Sequence, residues 1–239
     1  SSVDTPIDAN AVLEKGARRT ICICNTVRSA QSLYRSLKQE LLNRGDNDTI
    51  VELLHSRFLK KDRDQKEKWI HKRFSESHQN YSGPNLILIA TQVIEVGIDA
   101  TCDVMHTEIA PAASLLQRAG RCARRENEKG HVFVYLPRKE NGDPDFAPYY
   151  VDSKRIKTKR GLYLCQNTWE ALNSTEFLNR NMTFSLEQRL IDQVHTPIDE
   201  EILHGISLAN KLTLENIFKT MQNQDRGMAP YLIRNIDSR

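Results

Sequence analysis

The segment Gln117-Arg118-Ala119-Gly120-Arg121-Cys122-Ala123-Arg124 concentrates the side chains best suited to phosphate chemistry. Placed on a helix, residues 117, 121 and 124 are related as i, i+4 and i+7, so one carboxamide and two guanidiniums project from one face toward a common point. Permanently charged forks at such a point suit a triphosphate, because they stabilise the charge that spreads over a phosphoryl group during transfer, as an arginine finger does. Gly120 is expected to let this helix approach its neighbour closely. The competing reading is a solvated basic helix. The run of Gln, Arg, Gly, Arg and Arg after an apolar, strand-like segment argues against it.

Groups of this kind need a scaffold, and the hydrophobic pattern supplies one. Residues 20–24 are a short apolar, β-branched run; Asn25 and Thr26 follow as caps, and Val27, Ala30, Leu33, Tyr34, Leu37 and Leu41 repeat at helical spacing until Gly45. The cycle repeats with an apolar run at 50–54, a polar turn His55-Ser56-Arg57, and a charged helix over 62–74. Residues 86–90 are uninterrupted by polar groups, as expected for a strand covered on both faces, and are read as the sheet centre. Runs at 103–109 and 131–136 flank a predicted helix over 112–125. Strands alternating with helices over 19–137 predict an α/β domain built on a parallel sheet. Asn25, Thr26, His55, Ser56 and Arg57 then lie at carboxyl ends of strands, where open α/β sheets place their sites. There their amide, hydroxyl and guanidinium groups suit the phosphates of a single strand of nucleic acid, fixing register without reading sequence. An alternative reading makes His55 a turn residue with internal partners and Phe58 a core residue.

Around that domain the composition is ordinary. The 239 residues carry 34 basic and 31 acidic side chains, a net charge of +3, so local placement of arginines matters more than the total. No apolar run is long enough to cross a bilayer, so no membrane role is suggested. Five irregularly spaced cysteines, Cys22, Cys24, Cys102, Cys122 and Cys165, fit reduced thiols in a prokaryotic cytoplasm. Cys22 and Cys24 share one face of a strand and are read as core; no metal site is expected. Residues 1–18 are read as an entry linker and 138–160 as a linker ending in a basic stretch over 153–160. Residues 161–239 are read as a smaller extension of at least three helices, with Ser185-x-x-Gln188 as a capping box and Thr196-Pro197 as a further helix start.

Gln117-Arg-x-Gly-Arg-x-x-Arg124 resembles motif VI of superfamily 2 helicases, and Ala90-Thr-Gln-Val-Ile-Glu-Val-Gly-Ile-Asp99 resembles their motif V. The resemblance implies the second RecA-like domain of such a motor. It makes Arg121 and Arg124 the fingers facing the γ-phosphate and places Gln117, Gly97 and Asp99 at the nucleotide, with Thr91 on the nucleic-acid backbone. Taken alone, Gly97 and Asp99 read equally well as an ordinary turn. Asn25-Thr26-Val27 is similar to motif IV. The phrases Leu54-His55-Ser56-Arg57-Phe58, Asp62-Arg63 and the two motifs above are most similar to the helicase-nuclease of type I CRISPR systems, over about residues 19–137. That family implies ATP and Mg2+ as cofactors. It also implies single-stranded DNA, a first RecA-like domain, a nuclease domain and an RNA-guided surveillance complex as partners in antiviral defence.

The sequence contains no Gly-x-x-x-x-Gly-Lys-Ser/Thr loop, no Asp-Glu-x-His box, and no histidine followed by aspartate. The expectation is half of an ATP site, cut from a longer motor, with little nucleotide affinity or ATPase activity of its own. Two alternatives stay open: a binding module without hydrolysis that uses the basic stretch 154–160, and the motor half of an RNA helicase or restriction-type translocase.

Overall fold

A computed structural model describes residues 1–75, 81–95, 97–124, 128–150, 159–205 and 215. Six strands, β1 (Ser2–Val3), β2 (Arg19–Ile23), β3 (Ile50–Leu54), β4 (Leu86–Ala90), β5 (Val104–Glu108) and β6 (His131–Tyr135), form one sheet in the order β1-β6-β5-β2-β4-β3. Every pairing is parallel. This is an α/β, RecA-like architecture, and its crossovers run through α2 (Val27–Asn43), α3 (Lys60–Phe74) and α4 (Ala112–Ala119). The strand read as the sheet centre, β4, is fully buried but lies next to the edge; β2 and β5 occupy the middle. Helices cover both faces of the sheet, so an unbroken apolar run marks burial and not central position.

Helix α2 begins where Thr26 accepts a hydrogen bond from the Ser29 N–H at 3.0 Å, and its buried stripe is Ala30, Leu33, Leu37 and Leu41. That stripe packs with Cys22, Cys24, Val51 and Ile89 on one side of the sheet. On the other side Ile70 and Phe74 of α3 meet Ile21, Ile23, Leu86 and Leu88. Cys22 and Cys24 are buried core, and all five cysteines are free. A buried ion pair, Arg19 to Asp103 at 3.3 Å, ties the starts of the two central strands together.

Residues 1–18, read as a linker, take part in the fold. β1 extends the sheet beside β6, and α1 (Ala9–Lys15), capped by Asp8, buries Val12 against α2 and the sheet. Two residues of strand and two turns of helix are too short for periodicity to reveal.

Beyond β6, α5 (Lys159–Leu172) packs Leu162, Cys165, Trp169 and Leu172 on Ile109, Leu115, Val134 and Phe146. A Cβ at Gly161 would sit 2.1 Å from the Tyr149 carbonyl oxygen, so only glycine permits this approach. The chain divides into two compact units, Ser1–His195 and Thr196–Arg239, so α5 belongs with the sheet and not with a separate extension. Helix α6 (Phe184–Gly205) starts after Thr183, whose hydroxyl accepts from the Leu186 N–H at 3.4 Å, and it runs through Pro197 without a second start at Thr196. The basic stretch at 153–158 and most of the helices expected beyond 205 lie outside the described residues. Among the described residues no helix is long and apolar enough to cross a membrane.

Candidate functional site

The connection from β2 leads toward β3 and that from β5 toward β6, so the direction of winding reverses between these neighbouring central strands. Crevices at such reversals, outside the carboxyl ends of the strands, are where open α/β sheets bind ligands. Here the reversal is filled from below by Arg118. Its side chain is fully buried and spends all five N–H groups. Nε donates to Glu95 Oε1 at 2.8 Å, Nη1 to Thr107 Oγ1 at 2.9 Å and the Glu108 carbonyl at 3.0 Å, and Nη2 to Asn25 Oδ1 at 3.1 Å and the Tyr149 hydroxyl at 2.9 Å. Sequence reasoning passed over Arg118, although its position, three residues after Leu115 and six after Ala112, falls on the buried stripe of α4.

Asn25 belongs to the same network. Its N–H donates to Glu108 Oε2 at 2.5 Å and its carboxamide to the Ile109 carbonyl at 2.7 Å, and it is buried. It is therefore turned inward and not presented to nucleic acid as expected. Burial pushes the Glu108 carboxyl up to about 7, against the opposing pull of the Asn25 N–H and the Arg118 charge. Gln92 of the turn after β4 donates to the Asn25 carbonyl at 3.0 Å, joining the motif V segment to the end of β2.

The two arginines expected to act as fingers do not lie on a helix, and their turn sits beside residues 101–102, just before the start of β5. α4 stops at Ala119 with Gly120 as its cap, and residues 121–124 form a turn in which Ala123 has φ of 49°. The expected i, i+4, i+7 face is thus broken. The turn is held by backbone bonds from the Cys102 N–H to the Arg121 carbonyl at 3.0 Å and from the Ala123 N–H to the Cys102 carbonyl at 2.9 Å. A parallel bridge between Cys102 and Cys122 results. Gly120 meets nothing closer than its own helix's carbonyls, so the close helix approach expected of it is not seen.

The turn nonetheless brings the two motifs together. Arg124 Nη1 lies 2.6 Å from Asp99 Oδ1, with both side chains about half exposed, and the Arg121 Nη2 donates to the Glu95 carbonyl at 3.0 Å. Burial and the neighbouring Arg124 charge lower the Arg121 guanidinium from its usual range, while Asp99 opposes them. Gly97 turns the chain at φ of +81°, a conformation that strains any residue with a Cβ. Gln117 is exposed on the last turn of α4 and makes no side-chain hydrogen bond to the described residues.

At the β3 and β4 ends the expected contacts separate into two groups. Thr91 and His55 are buried. His55 Nδ1 accepts from the Arg57 N–H at 3.3 Å, Nε2 contacts the Gln31 carboxamide at 3.3 Å, and the ring stacks on Phe58 at 4.2 Å, so His55 is the internally satisfied turn residue of the alternative reading. Burial lowers its pKa. Thr26 is spent as the cap of α2. Ser56 and Arg57 are exposed, and the Arg57 guanidinium has no partner among the described residues.

The family described as CRISPR-associated nuclease/helicase Cas3, C-terminal, matches residues 16–127. Among curated proteins, the CRISPR-associated endonuclease/helicase Cas3 of Escherichia coli is 38% identical over 197 residues, 82% of this chain and 22% of that protein. Its counterpart in Thermus thermophilus is 30% identical over 195 residues, 65% of this chain and 20% of that protein. The chain thus spans about a fifth of the length of these relatives. A crystal structure of T. fusca Cas3 with AMPPNP superposes with a TM-score of 0.63 at 26% identity, covering 81% of this chain and 23% of that one. A structure described as a CRISPR RNA-guided surveillance complex, pre-nicking, gives 0.60 at 26% identity, covering 97% and 28%.

Proposed function

We propose, on the premise that residues 16–127 belong to the Cas3 family as its helicase C-terminal domain, that this chain is the second half of an ATP-driven DNA motor. It supplies Arg121 and Arg124 to a triphosphate and Ser56 and Arg57 to a single strand of DNA. The observation that carries the reading is the contact of motifs V and VI, where Arg124 pairs with Asp99 at a half-exposed site. Two guanidiniums held at a rim suit a γ-phosphate brought by a facing domain, and the Asp99 carboxylate holds Arg124 until the more highly charged phosphate competes for it. The AMPPNP bound in the T. fusca relative supports a nucleotide as the ligand. This chain lacks the Gly-Lys-Ser/Thr loop, so the phosphate cradle and the carboxylates for magnesium are assigned to the facing domain. Among the described residues no cluster of three or more His, Cys, Asp or Glu is arranged to hold a metal.

A surveillance complex and a nuclease domain are the partners of the whole protein in CRISPR defence, a reading supported by the neighbour described as a pre-nicking complex. The test is ATP hydrolysis by the full-length protein that carries this chain, with and without single-stranded DNA. Arg124→Ala is expected to lower the DNA-stimulated rate by about 10³-fold, the usual worth of an arginine finger, while leaving the fold intact. An unchanged rate in the folded variant removes Arg124 from the nucleotide site, and stimulation by RNA alone moves the chain to an RNA helicase.

A further inference from the structure

Two of the five cysteines face each other across the segment that leaves motif V and the turn that carries the fingers. The parallel bridge between Cys102 and Cys122 sets their backbones at strand-pair spacing, about 4.8 Å, and paired residues of parallel strands point to the same side. That separation lies inside the range of roughly 4.4–6.8 Å between Cα atoms that a disulfide spans. Cys102 is buried in the core under the sheet, and the half-buried Cys122 packs against that same core. Cys102 Sγ points to the Arg121 carbonyl at 3.4 Å, and Cys122 Sγ lies 3.7 Å from the Asp103 carbonyl and 3.6 Å from that of His131. A Cβ at Gly130 would lie 2.5 Å from Cys122 Sγ, so only glycine leaves room for this sulfur.

We propose that Cys102 and Cys122 are a redox pair whose oxidation to a disulfide staples the turn bearing Arg121 and Arg124 to residues 101–103. With a peroxide as oxidant, the more exposed Cys122 thiol takes one oxygen to become a sulfenic acid, and the other oxygen leaves as water. The Cys102 sulfur then bonds to Cys122 Sγ; the hydroxyl departs, takes the Cys102 proton and leaves as a second water. Two thiols and one peroxide thus become one disulfide and two waters. Burial, then the neighbouring Cys122, raises Cys102 well above the usual thiol range, which disfavours it as the thiol that attacks the peroxide; its part in the second step rests on its pairing with Cys122. The other three cysteines are buried, so this is the pair an oxidant meets first. Once formed, the bond fixes the local ladder that already runs from Cys102 to Arg121 and Ala123, and from the Arg124 N–H to Thr101 Oγ1 at 3.3 Å.

The test is to treat the full chain with hydrogen peroxide and follow intact mass and non-reducing peptide maps. The expected product has lost two hydrogens, joins the Cys102 and Cys122 peptides, and reverts with dithiothreitol; Cys102→Ser and Cys122→Ser each abolish it. Native trypsin cleavage after Arg121 and Arg124 is expected to slow several-fold in the oxidised chain, because the staple suppresses opening of the turn. Oxygen addition at Cys122 with no linked peptide overturns the pair, and a linked peptide with unchanged cleavage overturns the staple. Neither readout involves nucleotide, so failure of the motor reading leaves this result standing.

Discussion

At the scale of single residues, the site separates the fully buried Arg118 from the half-exposed Arg124. Arg118 is buried with every N–H engaged, so removing it strands Glu95, Asn25 and the Glu108 carbonyl at once. Arg118→Ala is expected to lower unfolding free energy by about 3–5 kcal/mol in urea denaturation, the cost of breaking a buried charged network. Lys is not expected to rescue it, since one ammonium cannot reach five acceptors. Arg124→Ala, at a half-exposed pair, should change stability by less than about 1 kcal/mol. The two titrating groups in the central strands pull in opposite directions. Glu108, raised from 4.5 to about 7 by burial, favours the fold at low pH, and that contribution is lost as pH rises through 7. His106, lowered from 6.5 to about 4 by burial and then by Lys15, favours the fold above about 6.5 and loses that contribution as pH falls. Its Nε2 meets no acceptor among the described residues, which also disfavours a second proton. Between pH 5 and 6.5 the two effects nearly offset each other, so Glu108→Gln should unmask His106. The variant's stability should fall on the order of 2 kcal/mol from pH 7 to 5 while that of the parent stays nearly flat, as read by thermal melts across that range. A variant as flat as the parent would remove Glu108 from the balance.

At the scale of elements, what periodicity encodes was readable and what tertiary contacts impose was not. The strands β2 to β6 and the helices α2 and α3 follow from apolar runs and 3.6-residue stripes. The end of α4 does not. Nothing in Gln-Arg-Ala-Gly-Arg-Cys-Ala-Arg forbids another turn of helix, yet the pairing of Cys102 with Cys122 pulls the chain out at Gly120 and holds Ala123 at positive φ. The helical geometry inferred for Arg121 and Arg124 was therefore wrong, since a contact between residues 102 and 122 leaves no periodic trace. Gly97 is the converse case, because a glycine between two motif residues announces a left-handed turn that the structure contains. Gly97→Ala should cost about 1 kcal/mol or somewhat more, since the position is open in space and only the backbone conformation is strained. A melting curve for this variant that overlays the parent's would mean that the turn relaxes to another conformation.

At the scale of the whole molecule, a net charge of +3 gives little general attraction to a polyanion, so any hold on nucleic acid must come from a few placed groups. The sheet decides which they are. Of the residues that the sequence assigned to a strand of nucleic acid, Asn25, His55 and Thr91 are buried and Thr26 is a cap, which leaves Ser56 and Arg57 at the exposed end of β3. All six lie just after the carboxyl ends of β2, β3 and β4, an edge that parallel strands share and that the apolar runs make legible. Those runs could not tell which of the six faced outward, because each side chain's direction depends on partners such as Glu108 and Gln31 from other elements. Arg57, unpaired among the described residues, carries the sharpest consequence. If it meets one backbone phosphate, Arg57→Ala in the full-length protein should weaken single-stranded DNA binding about equally for all sequences. It should also reduce the slope of log affinity against log salt by about 0.7, the counterion release expected of one contact on a single strand. His55→Ala should instead act through the β3 turn it supports, lowering stability while leaving that slope unchanged. A salt series by fluorescence anisotropy on both variants separates them, and an unaltered slope in Arg57→Ala would move the DNA path off the β3 edge.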